Sequence, residues 1–281
     1  PDYWQVSPLS NYTVIESQVI GKNPSDDSLC EDAIVMSDGF VAVIDGATDK
    51  TGWRYQGVAG GRAAAELISK CVRTLPIECT VAETVEAMNA ALQDIRLTGP
   101  ADGPSASIAV FSAHRREIWR IGDVNVYLPG SNRRAAEPKA IDVVAANMRA
   151  AVNAAALAAG QEYTSVQRDD PGRQAIMPLL TTQYVFRNSP GPWGYAAIDG
   201  TATPLPLVEV IELTQDDTDV ILASDGYPTV EATLATAEER LQTALTLDPL
   251  CIDALRGTKG VAEGNISFDD RAYARIALSA S

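Results

Sequence analysis

Acidic residues lie directly beside short apolar runs at several places in the sequence. The apolar run 41–44 ends at Asp45, and the run 220–223 is followed, after one serine, by Asp225. A carboxylate placed against apolar residues costs free energy unless it is paired or holds a cation. The complete set consists of Glu31, Asp32, Asp45, Asp225, Asp269 and Asp270.

Carboxylates are oxygen ligands, and oxygen-only ligand sets select hard cations such as Mg²⁺ or Mn²⁺. Two such ions about 4 Å apart can activate a bridging water and hold a phosphoryl group for in-line attack. A glycine follows both Asp45 and Asp225, so that the backbone can turn and the Gly46 carbonyl can also face a cation. One Asp-Gly pair alone is typical of an ordinary turn. Several acids at strand ends, in a fixed order, favour a metal site instead.

The patterns around these acids predict strands that alternate with helices. Strands are predicted at 33–36, 40–44, 107–111, 117–121, 125–128, 207–213, 219–223 and 272–278. Helices are predicted at 60–75, 80–97 and 141–159, followed by one through 234–245 and a short one ending at Leu255. Thr80 and Glu83 have the spacing of a capping box. Strands in neighbouring pairs predict an α+β fold with mainly antiparallel sheets.

Residues 130–204 are less regular than the rest of the chain. They combine an Ala-rich helix, a polar linker at 161–172 and a Pro/Gly-rich stretch, and they contain few large apolar residues. We therefore expect one domain over residues 1–281, with 130–204 as an insertion or flap over its core.

Composition narrows the function classes. The formal net charge is -15, which predicts no binding to nucleic acid or to anionic membrane surfaces. The Ala-rich stretch 145–159 is short for a membrane span and contains Arg149 and Asn153. Four widely spaced cysteines and the absence of a visible signal-peptide pattern predict reduced thiols and a cytoplasmic protein. His114 is the only histidine, and it lies in a polar turn, which argues against zinc and histidine-based catalysis.

Five acidic motifs in a fixed order resemble those of the type-2C, metal-dependent (PPM) protein serine/threonine phosphatases. That family shows E-D, D-G, G-D-S, S-D-G and D-N in this order, over a length similar to that of residues 20–280. The corresponding residues here are Glu31-Asp32, Asp45-Gly46, Gly122-Asp123, Ser224-Asp225-Gly226 and Asp269-Asp270. The resemblance implies a four-layer α-β-β-α sandwich with the metal ions at one end of the paired sheets.

The resemblance also implies the roles of individual residues. Asp45 would bridge two divalent cations, Mn²⁺ or Mg²⁺, and the Gly46 carbonyl would bind one of them. Asp225 and Asp269 would hold the other cation and complete the catalytic set with Asp45. Asp32, or Glu31 beside it, would act through water.

Some positions depart from the family pattern. The G-D-S motif is Gly122-Asp123-Val124, and D-N is Asp269-Asp270. The acid often found four residues after the S-D-G aspartate is Thr229, so a third cation beside Asp123 is expected to bind weakly. The phosphate-gripping Arg that precedes E-D in many members is missing.

Three residues are candidates for replacing that phosphate-gripping Arg. Lys22 is the nearest basic residue, although an ammonium is a point charge and not a bidentate fork. Arg54 and Arg62 follow the Asp45-Gly46 motif. Asp49-Lys50 is interpreted as a surface turn, and Asp217 as a solvated turn residue.

The expected activity is hydrolysis of a phosphate monoester by a metal-bound hydroxide at a binuclear carboxylate site. The resemblance makes a protein carrying phosphoserine or phosphothreonine the first candidate substrate. A small phosphorylated metabolite is the second. The alternative from another class is a catalytically inactive pseudophosphatase that acts as a binding or regulatory domain.

Overall fold

The computed structural model describes residues 11–48, 50–100 and 102–279, which form two stacked five-stranded sheets. All named strand pairs within both sheets are antiparallel. In spatial order, the first sheet contains β1 (Tyr12–Ile20), β12 (Arg271–Leu278), β11 (Asp219–Ala223), β8 (Asn125–Leu128) and β9 (Arg133–Ala135). The second contains β10 (Glu209–Glu212), β7 (Glu117–Ile121), β6 (Ala106–Ser112), β3 (Phe40–Gly46) and β2 (Asp32–Met36).

Side-chain alternation along the strands divides the core into layers. In β3, Val41 and Val43 pack between the two sheets, whereas Ala42 and Ile44 pack on the outer side. The outer side of the second sheet is covered by α1 (Gly60–Thr74) and α2 (Val81–Thr98). The period of two in a strand produces this separation, since successive side chains point to opposite faces.

The outer face of the first sheet packs against one helix. Ile221 and Ala223 of β11 lie in a cluster with Leu241 and Leu245 of α6 (Leu234–Leu247). Helices on both outer faces make a four-layer α-β-β-α sandwich, and the predicted fold class is confirmed. The predicted capping box of α2 is also present, because Thr80 and Glu83 bond to each other's backbone.

Several elements differ from those expected. The sequence interpretation missed β1 and β9, as well as a small hairpin formed by β4 (Arg54–Tyr55) and β5 (Val58–Ala59). The stretch expected to be a polar linker contains α4 (Tyr163–Asp169) and the start of α5 (Pro171–Thr182). Residues 249–255, where a short helix ending at Leu255 was expected, form turns and bends. Most of these errors concern short or polar elements, whose periodicity is too weak to detect.

Residues 130–204 contain a small helical cluster built on α3 (Ala140–Ala158) and α5. Ala145 of α3 packs against Ile176 and Leu180 of α5. By length and hydropathy, α3 could cross a membrane. Its Arg149, however, is buried and donates hydrogen bonds to the carbonyls of residues 250, 251 and 257. Arg149 therefore joins the insertion to the segment that precedes β12.

Candidate metal and phosphate site

Strand register brings the predicted acids to one end of the layer between the sheets. Asp45 continues the inward-facing series of Val41 and Val43, and it pairs with Asp32 across β2 and β3. Ser224, just after β11, donates a hydrogen bond of 2.6 Å from its hydroxyl to Asp32 and accepts one from the Ala272 backbone. The serine therefore joins the two sheets where the acids converge.

Asp45 and Asp225 have no partner of opposite charge and accept no hydrogen bond within the described chain. Burial, together with the charge of Asp225, raises the pKa of Asp45 well above its usual range. Burial, with the charges of Asp269 and Asp123, raises the pKa of Asp225 to about 7. Both side chains line the same cleft. Two such carboxylates repel each other, and the more distant charges of Lys139 and Lys259 compensate Asp225 only in part.

Asp269 and Asp270, in contrast, are held by lysines. Lys22 Nζ lies 3.2 Å from Asp269 and 2.9 Å from Asp270, and Lys259 Nζ lies 2.6 Å from Asp269. Burial alone would raise the pKa of Asp269, but the two lysines lower it. The backbone N–H groups of Lys22 and Glu31 also donate to Asp270. Asp270 therefore anchors the segment in front of β2 rather than facing the cleft.

Asp123 is paired in a similar way. Its two carboxylate oxygens lie 2.6 Å from the Ser107 hydroxyl and 2.9 Å from Lys139 Nζ. Burial on its own would raise the pKa of Asp123, but Lys139 and the Ser107 hydrogen bond lower it. Lys139 directly precedes α3, so this ion pair links the insertion to the acidic end of the sandwich.

The glycines of the two Asp-Gly motifs have a different role from the one expected. Neither Gly46 nor Gly226 adopts a left-handed φ. A Cβ on Gly46 would overlap the Gly61 carbonyl at the start of α1, and a Cβ on Gly226 would overlap the Asp270 carbonyl. Close backbone packing therefore requires glycine at both positions. At Gly226 the expected turn is present as well, because the Tyr227 N–H donates to the Ser224 carbonyl.

Glu31 lies near this contact. Its side chain is buried and accepts a hydrogen bond of 2.6 Å from the Thr48 hydroxyl. Burial is the main reason that the pKa of Glu31 is raised. Glu31 thus fixes the loop that follows Gly46 and lies directly against Gly61.

The side chains of this site suit a divalent cation between Asp45 and Asp225, but no third acid among the described residues is in place beside them as a further ligand. Asp45 and Asp225 are donor-free, mutually repelling oxygen ligands in a cleft, which is the chemistry that a divalent cation compensates. Within residues 11–48, 50–100 and 102–279, no three acidic, cysteine or histidine side chains are arranged to hold one metal ion. Asp269 could bind a metal ion only if the ion displaced Lys22 or Lys259 from its carboxylate.

The cleft has a volume of about 410 Å³. Its lining includes Asp45, Asp123 and Asp225, together with residues of the insertion. Those insertion residues are Lys139, Asp142, Arg173, Leu180, Gln183, Tyr184, Arg187, Tyr195 and Ala197. This size is in the usual range for a small-molecule or cofactor site.

Two of the three phosphate-binding candidates lie elsewhere. Arg54 is exposed and donates to the Gly57 carbonyl in the β4–β5 hairpin. Arg62 pairs with Glu66 and donates to the carbonyls of Asp27 and Cys30. Neither side chain lines the cleft, because each one bonds to the backbone of its own neighbourhood. Lys22 does line it.

Sequence reasoning missed four cations of the cleft: Lys139, Arg173, Arg187 and Lys259. These four cations lie outside the acidic motifs in the sequence, so that only the fold reveals their place in the cleft. For Asp49-Lys50 a surface turn was preferred to a place in the cleft, but Lys50 is half-buried and lines the cleft. Asp49 lies outside the described residues. Thr229 is exposed and does not line the cleft.

Solved bacterial protein phosphatases have the same fold. The serine/threonine phosphatase PstP/Ppp of Mycobacterium tuberculosis matches with a TM-score of 0.50 at 14% identity, covering 95% of this chain and 100% of that one. Stp1 of Staphylococcus aureus matches with a TM-score of 0.50 at 12% identity, covering 99% of both chains. No protein-family profile and no curated protein sequence matches the chain. The chain therefore has the fold of the PPM phosphatases, and at these identities the likeness is one of fold.

Proposed function

We propose that this chain is a metal-dependent phosphatase that hydrolyses phosphate monoesters at the cleft beside Asp45 and Asp225. The observation that carries this proposal is the pair of donor-free carboxylates, which repel each other unless a cation lies between them. The fold shared with PstP/Ppp and Stp1 agrees with it. A structural role for the pair is disfavoured, since a structural carboxylate would be hydrogen-bonded by the protein.

Asp45, Asp225 and the Gly46 carbonyl would hold the cations, with Asp269 joining them, and Asp32 or Glu31 would act through water. Two bound Mn²⁺ or Mg²⁺ ions would supply a nucleophilic water at neutral pH and neutralise the charge on the phosphoryl oxygens. Ser224 keeps Asp32 in place through its hydrogen bond. Lys22 supplies a positive charge at the cleft wall, where it would attract the phosphate.

The first candidate substrate is a protein phosphorylated on serine or threonine, in keeping with the serine/threonine phosphatases of this fold. A small phosphorylated molecule is the second candidate, favoured by the walled cleft of about 410 Å³. Residues 130–204 would act as a flap that selects between them, because several of them line the cleft. We also propose a cytoplasmic location, in keeping with four free cysteines.

A pseudophosphatase is the alternative, and one observation favours it. Lys22 and Lys259 both form ion pairs with Asp269. Lysines that occupy the place of metal ions would stabilise the fold without supporting turnover. Phenyl phosphate hydrolysis separates the two functions. We expect turnover that needs added Mn²⁺ or Mg²⁺ and stops with a chelator. Activity that survives exhaustive chelation would refute the metal mechanism, and absence of turnover with either metal would favour the pseudophosphatase.

A further inference from the structure

Lys50 and Arg173 are two cations of the cleft that form no ion pair, although Asp142 attracts both of them and Asp170 attracts Arg173 at longer range. Lys50 Nζ donates one hydrogen bond of 2.6 Å to the Thr48 carbonyl, and Arg173 Nη1 donates one of 2.8 Å to the Thr258 carbonyl. Neither forms an ion pair within the described chain. Both line the cleft that contains Asp45 and Asp225.

Every other cation of this cleft is paired. Lys22 and Lys259 pair with Asp269, Lys139 pairs with Asp123, and Arg187 pairs with Asp199. Other cations of the described chain, such as Arg54 and Arg134, also form no ion pair, but their side chains bond to backbone carbonyls outside this cleft. The unpaired charges are therefore left available to a bound anion.

The unpaired cations also repel their neighbours. Burial, followed by the charges of Lys259 and Arg173, lowers the pKa of Lys50 to about 8, against the opposing charge of Asp142. Burial lowers the pKa of Arg173 as well. Cations gathered in this way cost free energy until an anion binds between them.

The two residues come from different parts of the fold. Lys50 is four residues beyond Gly46, in the loop after β3, whereas Arg173 lies in the first turn of α5, inside the insertion. An anion bound by both would bridge the metal-site loop and the insertion. A bidentate guanidinium and an ammonium are together suited to a carboxylate or a phosphate.

We infer that Lys50 and Arg173 form a second anion subsite, which binds a carboxylate or a second phosphate carried by the phosphate ester that is hydrolysed. This inference rests on the proposed function, since it assigns the reacting phosphate to the acidic pair and the second anion to these cations. The substrate is then a phosphate ester with another negative group in the same molecule.

Binding of non-hydrolysable probes to the Mn²⁺-loaded protein tests the subsite without relying on turnover. We would compare benzylphosphonate with 4-carboxybenzylphosphonate by calorimetry. The carboxylate should improve affinity about tenfold, which is the usual effect of one hydrogen bond to a charged group. A peptide that carries the non-hydrolysable phosphonate analogue of phosphoserine, with Glu or Gln two residues away, provides the same comparison for a protein substrate, and the pair that shows the advantage identifies the source of the anion.

Variants assign the advantage to the two cations. In Lys50→Met and in Arg173→Met the carboxylate advantage should largely disappear. In Arg54→Met it should persist, because that guanidinium lies outside the cleft. Lys50 bonds only within its own loop, so this variant remains informative even if Arg173→Met disturbs α5.

Three results would overturn the inference. The first is equal affinity of the wild-type protein for both members of each probe pair. The second is a carboxylate advantage that persists in both Lys50→Met and Arg173→Met. The third is an equal loss of affinity for all probes in these variants, which would assign the two cations to the reacting phosphate instead. Tight binding of the carboxylate probe without hydrolysis of phenyl phosphate would support the subsite while removing the proposed catalysis.

Discussion

Asp217 and Asp225 lie beyond opposite ends of β11 and behave in opposite ways. The Asp217 side chain is completely buried, and it accepts hydrogen bonds from Ser131, Arg133 and Thr214. Burial alone would raise its pKa, but these hydrogen bonds lower it. Asp225 has no such donors, and its pKa is raised to about 7. The interpretation of Asp217 as a solvated residue is wrong, because the hydrogen bonds that it accepts allow its carboxylate to be buried.

The difference between the two ends separates structural from functional acids. Both aspartates lie next to the same apolar strand, so residue type and neighbouring sequence do not distinguish them. At one end the protein supplies every donor, and the carboxylate stabilises the fold. At the other end the protein supplies none, and the carboxylates Asp45 and Asp225 are left for a ligand. The donors, and not burial, therefore distinguish the two ends.

Neutralising the donor-free end should have the largest effect. We expect Asp45→Asn and Asp225→Asn each to lower phenyl phosphate hydrolysis about 1000-fold, or about 4 kcal/mol of transition-state stabilisation, because a cation ligand is lost. Stability in chelator should stay at the wild-type value or rise, since like charges no longer repel. Hydrolysis rates and denaturant unfolding measure both. Near-normal rates in both variants would show that the site is elsewhere.

The donor-rich end should respond in the reverse sense. Asp217→Asn replaces one accepting oxygen of a buried carboxylate with an N–H group, so the free energy of unfolding should fall by about 2 kcal/mol, the usual cost of losing hydrogen bonds to a charged group. Hydrolysis per folded molecule should not change, because Asp217 is at the far end of β11. A variant that lost turnover but kept its stability would contradict the comparison.

The sequence was informative where function depends on local pattern. Asp45 and Asp225 are visible because each one ends an apolar run, and the layered fold follows from strand and helix periods. Lys139 and Arg173 were missed, since their place in the cleft depends on how the insertion packs. Asp217 was misinterpreted for a similar reason: its partner Arg133 is 84 residues away in the chain. Long-range donors leave no local signal.

The two ends should also differ in their response to pH. In chelator, the protonated form of Asp225 is favoured by folding, because its pKa is about 7 in the folded protein and near 4 when unfolded. Its stabilisation is therefore present below pH 4 and is lost as the pH rises to 7, at a slope of up to about 1.4 kcal/mol per pH unit. Asp217, with a lowered pKa, contributes no such loss in this range.

Urea unfolding in chelator between pH 5 and pH 7.5 measures this slope. The wild-type protein should lose stability as the pH rises, and Asp225→Asn should lose less. Adding Mn²⁺ should remove or reverse the trend, since the cation favours the ionised carboxylates. A wild-type stability that is independent of pH in chelator would mean that the acids of the cleft are compensated by other groups.

The smallest expected effect concerns the paired acid of the cleft, Asp123. Both of its oxygens are engaged, one by the Ser107 hydroxyl and the other by Lys139 Nζ. The acid that would complete a third cation site in relatives is replaced by the exposed Thr229. A cation beside Asp123 would have to displace an ammonium and then find one carboxylate, with waters as its other ligands. We therefore expect two firmly bound Mn²⁺ ions and a third that is weak or absent.

Anomalous scattering from crystals soaked in high Mn²⁺ counts these ions. Lys139→Met should free one oxygen of Asp123 and strengthen the third site about tenfold, because a competing charge has been removed. Lys22→Met is the matched control, since it removes a cleft lysine that does not contact Asp123. A strong third peak beside Asp123 in the wild-type protein would show that Lys139 does not compete with a cation. Asp123 would then belong with Asp45 and Asp225, among the acids that the protein leaves for a ligand.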